Sequence, residues 1–177
     1  MNAFLDAEFT GLHQNGELIS LAIVTEDNRA FYAEFSDLDY ESLGPWQREH
    51  VLPQLGLEKT EKLKKYFSSA VFLRADSFAI KTAVEHFFSG FDNGQVTVWG
   101  DNHAYDWVFF CQLWGGALHI PACFHYIVRD LASLFQLKKL DAGTSRRDFA
   151  GNGPHLHLSR HHALADAIAQ KLCYDKL

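Results

Sequence analysis

Residues 3–12 read AFLDAEFTGL, and the alternation within this stretch sets how the rest of the chain is read. Side chains along a strand point to opposite faces in turn, so Ala3, Leu5, Ala7 and Phe9 line one face while Asp6 and Glu8 project together from the other. A lone pair of this kind is more often the solvent face of a half-buried strand; it is also a candidate metal site, and alone it decides nothing.

Outward from this strand, ELISLAIVTE (Glu17 to Glu26) predicts a second strand, with a turn at Asp27 and Asn28 before a third, AFYAEF (Ala30 to Phe35). Together they predict an antiparallel meander. Helical spacing follows over Pro45 to Gln54, Leu57 to Phe67 and Ser77 to Phe88. A short β-branched strand, Gln95 to Trp99, then leads into a helix over Tyr105 to Trp114, another strand near His119 to Phe124, and helices over Arg129 to Leu137 and His162 to Leu172. The order gives α/β character. Asp141 to Arg160, rich in glycine and arginine, reads as a long mobile loop, one that gates a site or is simply disordered.

The 177 residues suit one domain, 1–177, with no linker or repeat. At 47% hydrophobic and 21% charged, the composition excludes disordered, collagen-like and coiled-coil classes. No apolar run is long enough to span a membrane and no leader-like start precedes the first strand, so a cytoplasmic protein is expected. Cys111, Cys123 and Cys173 form no CxxC pair and read as buried small hydrophobes. The formal net charge of -6 speaks against holding duplex nucleic acid by overall field, although cations gathered by an acidic site would offset part of it.

Two further clusters carry candidate chemistry. Asp106 opens the helix in GDNHAYDWVFFCQLW, just beyond the carboxyl end of a strand, where open α/β sheets place functional groups; a favourable helix-dipole contact is the plainer explanation. In RHHALADA, His162 and Asp166 stand four apart and share a helical face, whereas His161 converges with Asp166 only from the loop before the first turn. Spacing does not choose between the two histidines. His155 and His157, two apart and without cysteine partners, do not support zinc.

The order FLDAEFTGL, GDNHAYDWVFF, HHALADA resembles the three motifs of the DEDDh family of 3′-to-5′ exonucleases, which includes ribonuclease T, oligoribonuclease and proofreading subunits. Asp6, Glu8, Thr10, Gly11 and Leu12 match the first motif, Asp106 the second, and His161 with Asp166 the third, and this match favours His161 over His162. Within the family, ELISLAIVTED, WQREHVLPQL and CQLWG further resemble the polyadenylate-specific exoribonuclease AS.

The resemblance implies a ribonuclease-H-like fold, a mixed central sheet flanked by helices. It also implies a 3′-to-5′ exoribonuclease acting on the 3′ end of single-stranded RNA, with adenylate-rich ends as one substrate. Asp6, Glu8, Asp106 and Asp166 would hold two Mg²⁺ or Mn²⁺ ions roughly 4 Å apart, hard cations suited to oxygen ligands. His161 would accept a proton from the attacking water. Glu8 and the Phe9–Thr10 backbone would meet the terminal ribose, and Leu12 would wedge beside the terminal base. Phe9 is the aromatic expected to face substrate; Trp99, His103 and Trp107 read as core before stacking platforms. Arg146, Arg147 and Arg160 are candidate phosphate contacts, with a solvated loop the plainer reading. A DNA exonuclease and a non-catalytic binding module on the same fold are the alternatives. A homodimer is also implied, and 15 phenylalanines and four tryptophans are generous for one small core. Trp46, Trp114, Phe87 and Phe88 are the candidate interface residues.

Overall fold

In the computed structural model, which describes residues 1–177, the first strand β1 (Asn2–Phe9) lies near the centre of a six-stranded sheet. β2 (Leu18–Thr25) and β3 (Arg29–Phe35) pair antiparallel beside it, as the meander predicts. Three strands add in parallel: β4 (Ser69–Ala75) on β3, β5 (Thr97–Gly100) on the other side of β1, and the two-residue β6 (Arg129–Asp130) on β5. The sheet is therefore mixed, with helices on both faces.

On one face, Ala3, Leu5, Ala7, Leu21, Ile23, Phe31 and Ala33 meet α3 (Ser77–Phe87) and α4 (Ala104–Gln112) in an apolar cluster of 21 buried residues. On the other, Ala22, Val24, Ala30 and Tyr32 meet α7 (Ala163–Lys176). The α7 residues facing the strands are largely alanines, so helix and sheet approach closely. A third cluster of Ile19, Leu38, Leu43 and Val51 supports α1 (Pro45–His50). The short α2 (Leu57–Thr60) runs into a 3₁₀ helix over Glu61–Tyr66, so the helix expected from 57 to 67 changes winding partway. α5 (Leu131–Leu137) and α6 (Arg146–Ala150) complete the set, and no helix is long and apolar enough to cross a membrane.

Three expectations need correction. β4 was not expected: its pairing with β3 crosses an intervening helical segment and its side chains are largely half-exposed, so it lacks a clean alternation of apolar residues. No strand forms over 119–124; Pro121 lacks an N–H, and the pairing is limited to one parallel bridge from Val96 to Phe124 with the few backbone hydrogen bonds around it. The segment 141–160 is not a mobile loop. Ser145 caps α6 by accepting the Asp148 N–H, and a 3₁₀ turn covers Pro154–His157. The buried Arg146 pairs with Asp101 (2.8 Å) and lies 4.0 Å over the Phe135 ring, while Arg147 donates to the carbonyls of His155, Leu158 and Ser159. Two guanidinium groups order a segment whose composition alone suggests disorder.

Candidate active site

Asp6 and Glu8 leave β1 on the face that meets α7, and that helix supplies Asp166 from its first turn. One carboxylate oxygen from each of the three lies within 4.8 Å of the other two. Asp106 stands outside this trio but lines the same cavity. Its position follows from strand pairing: β5 pairs with β1 only as far as Phe4, and beyond it the free Ala7 N–H donates to Asp106 Oδ1 at 2.9 Å. The structure thus gathers four acidic groups from three distant segments around one hollow.

Burial pushes Asp6 well above the ordinary carboxylate range, and the charges of Asp166, Asp106 and Glu8 push it further. Glu8 rises to about 8 through burial and then through Asp166 and Asp106. Asp106 and Asp166 rise to about 6, burial again leading; the nearby Arg147, 3.8 Å away, works against the rise at Asp166. Partly desolvated carboxylates repelling one another in this way favour a proton or a cation. The donor set is all oxygen, which fits a hard divalent ion.

The two histidines separate completely. His162 is 2% exposed, stacks on Tyr32 at 4.8 Å and caps α7 by accepting the Leu164 N–H at its Nδ1. Burial lowers it to about 4. His161 turns outward with φ of 60°, lines the cavity beside Asp6 and Asp166, and sets its ring 5.0 Å from Trp46. Burial, His50 and Arg160 lower its pKa, keeping the imidazole neutral and able to accept a proton. Of the two histidines, His161 alone lines the cavity; His162, which shares a helical face with Asp166, is buried away from it.

The cavity, of about 470 Å³, has the carboxylates as one wall and Phe9, Leu12, Trp46 and Gln47 as another. Leu12 is 70% exposed at its mouth, and Phe9 packs on Phe109 at 5.0 Å. Thr10 does not line it. Its N–H donates to Glu17 and its carbonyl accepts from Gln47 Nε2, so its backbone is fully engaged in holding the loop and α1 together. Trp46, Gln47 and Gln170 were missed as site residues. Gln170 was visible in principle, four residues after Asp166 on one helix, while the approach of α1 carries no local signal.

Other expectations also change. Trp114, Phe87 and Phe88 are buried in the apolar cluster and cannot form an interface; of that set only Trp46 is exposed, and it faces His161. Arg146 is buried and paired, and Arg147 is occupied by carbonyls, which leaves Arg160 exposed beside the acidic hollow. Trp99 packs on Tyr174 and Trp107 on Phe110; both are half-buried, and neither lines the cavity. His155 is buried and His157 stacks on Tyr66, so the histidines of this region diverge. The three cysteines are free and buried.

A family model described as the 3′-5′ exoribonuclease Rv2179c-like domain matches residues 1–177. Two Mycobacterium tuberculosis proteins, the 3′-5′ exoribonuclease MT2234.1 of strain CDC 1551 / Oshkosh and the 3′-5′ exoribonuclease Rv2179c of strain ATCC 25618 / H37Rv, are each 32% identical over 170 residues. That match covers 96% of this chain and 89% of each relative. Among solved structures, the RNase domain of the yeast Pop2 protein superposes with a TM-score of 0.57 at 15% identity, over 99% of this chain and 77% of that one. Cell-death related nuclease 4 (CRN-4) gives 0.57 at 15% identity, over 99% of this chain and 62% of that one. These likenesses bear on the fold, and they agree with the ribonuclease-H-like arrangement expected from the motifs.

Proposed function

The chain belongs to the Rv2179c-like 3′-5′ exoribonuclease domain family, and from that premise we propose that it removes nucleotides singly from the 3′ end of single-stranded RNA, releasing 5′-monophosphates. The observation that carries this reading is the convergence of Asp6, Glu8 and Asp166 within 4.8 Å, with Asp106 and His161 on the walls of the same cavity. Two Mg²⁺ or Mn²⁺ ions suit that donor set, held by Asp6, Glu8, Asp106 and Asp166. Bound there, they would neutralise the phosphate, acidify the attacking water and stabilise the departing 3′-oxygen.

The protein's own groups do the rest. His161, neutral and outward-facing, takes the proton of the attacking water, a role usually worth ~10²- to 10⁴-fold. Phe9 and Leu12 hold the terminal nucleotide, so that an end is preferred over an internal bond. Thr10 contributes by fixing that wall to α1. A preference for adenylate-rich ends is supported by the likeness of 17–27, 46–55 and 111–115 to the polyadenylate-specific enzyme. We further propose that residues 1–177 act as one domain in the cytoplasm, where buried free thiols are at home. Assembly as a homodimer would cover the exposed Leu118, Tyr126 and Ile127.

A 5′-labelled oligoadenylate should shorten stepwise from its 3′ end with Mg²⁺ or Mn²⁺ and stay intact with excess chelator. Oligouridylate and the DNA counterpart should be cut more slowly. Full hydrolysis in chelator, or internal cleavage, would overturn the reading. Light scattering tests assembly: a mass at the chain's own 20.1 kDa, with and without metal and RNA, would exclude the dimer.

A further inference from the structure

Gln170 lies one helical turn beyond Asp166 on α7, so both side chains leave the helix towards β1. It is 2% exposed. Its Nε2 donates to Asp6 Oδ1 at 2.8 Å, and its Oε1 is buried without any partner. With Asp6 ionised, as a cation ligand must be, the carboxylate dictates this orientation: turned over, the amide would set Oε1 against Asp6 and lose its hydrogen bond. An acceptor stranded in this way destabilises the folded protein, and an apolar side chain of the same length would avoid that loss. Folding alone therefore does not account for glutamine here.

We infer that Gln170 is a positioning residue for Asp6, fixing its carboxylate so that Oδ2 is held ready for the divalent cation, and that it thereby sets the affinity of the site. The inference rests on the carboxylates being a cation site. The chemistry of the side chain suits the task. A lysine or arginine in its place would compete with the ion for Asp6, and a glutamate would add repulsion; an amide orients the carboxylate without changing the charge that attracts metal. Arg147 shows the contrast: it comes within 3.8 Å of Asp166, but its hydrogen bonds go to the backbone carbonyls of His155, Leu158 and Ser159.

Calorimetric titration of the metal-free protein with Mn²⁺, together with its melting temperature, tests this. Gln170→Met should weaken Mn²⁺ binding about 10- to 100-fold, as loss of such an outer partner does, while the metal-free melting temperature holds or rises. Gln170→Asn, one methylene short of Asp6, should weaken binding similarly and serves if the methionine variant fails to fold. Affinity equal to wild type in either folded variant overturns the inference. So does a fall in metal-free stability that accompanies the loss of affinity, which would assign Gln170 to folding. Failure of the wild-type protein to bind Mn²⁺ overturns the reading of the site itself.

Discussion

The two faces of one sheet differ in what they bury. On the α3 and α4 side, Ala3, Leu5, Ala7, Leu21, Ile23, Phe31 and Ala33 enter a cluster made only of apolar side chains. On the α7 side the same strands present a polar row, Glu8–Ser20–Glu34, and a mixed one, Asp6–Ala22–Tyr32, in register across β1, β2 and β3. Glu34 is fully buried; it accepts from the Tyr32 hydroxyl at 3.0 Å and from the Gly56 N–H at 2.7 Å, and its second oxygen has no partner. Ser20 Oγ, His162 Nε2 and Gln170 Oε1 on this side are also buried without partners. Each such group costs ~1–3 kcal/mol, about what burying one large apolar side chain contributes. The apolar face thus offsets a deficit carried by the face that holds the carboxylates.

The comparison is broken most directly by exchanging one residue from each side. Asp166→Ala should reduce turnover to background, yet leave the metal-free melting temperature level or higher because like charges are relieved. Phe110→Ala, on the apolar side against Trp107, Trp114 and Phe124, should lose ~3–5 kcal/mol of stability, while molecules that remain folded keep their turnover. A large fall in the metal-free melting temperature of Asp166→Ala would make the carboxylates structural and erase the distinction.

The adjacent histidines sharpen it within three atoms of backbone. His161→Ala should cut turnover by about 10²-fold or more with melting temperature and Mn²⁺ affinity nearly intact. His162→Ala should leave turnover close to wild type but lose ~1–2 kcal/mol through its cap, as well as its stacking on Tyr32. Steady-state rates beside thermal melts check both, and the reverse ranking would give the catalytic role to His162.

The smallest effect is on pH dependence in the absence of metal. Glu8 moves from 4.5 to about 8 on folding, so the folded protein keeps a proton that the unfolded chain releases; its stabilising share is full below 4.5 and is lost as pH rises towards 8. His162 moves from 6.5 to about 4, so its share is full above 6.5 and is lost as pH falls towards 4. Between 4.5 and 6.5 these two oppose each other, and above 6.5 Glu8 acts without His162. The metal-free melting temperature should therefore fall from pH 6.5 to 8, less so in Glu8→Gln, and saturating Mg²⁺ should reverse that limb. A rise over the same interval without metal would contradict the shift at Glu8.

Legibility in the sequence followed the range of the interactions. The faces of β1 were readable because alternation is local, and α7 because its apolar residues recur along one helix. Asp6, Glu8, Asp106, Asp166 and His161 stood out as candidates only through the ordered motifs, and the structure brings them to one cavity; spacing alone left His161 and His162 undivided, and the cap and the outward turn place them apart. What escaped depends on partners far along the chain. β4 exists through its parallel register with β3, and the order of 141–160 comes from Arg146 reaching Asp101. Trp46 reaches the cavity because a separate cluster carries α1 there. No window of neighbouring residues contains those facts.

The register between β1 and β2 slips between Glu8 and Phe9, whose partners are Ser20 and Leu18, leaving Ile19 without an opposite number. That supernumerary side chain is the sheet's own member of the small cluster beneath α1, and α1 brings Trp46 and Gln47 to the wall opposite the carboxylates. One extra residue in a strand is the peg from which this wall of the cavity hangs. The two sides of the cavity therefore hang from different supports: Trp46 and Gln47 depend on the stretch around Leu38 to Leu55, while Asp6, Glu8 and Asp166 depend on β1 and α7, so a substitution beneath α1 should reshape the first and leave the second in place.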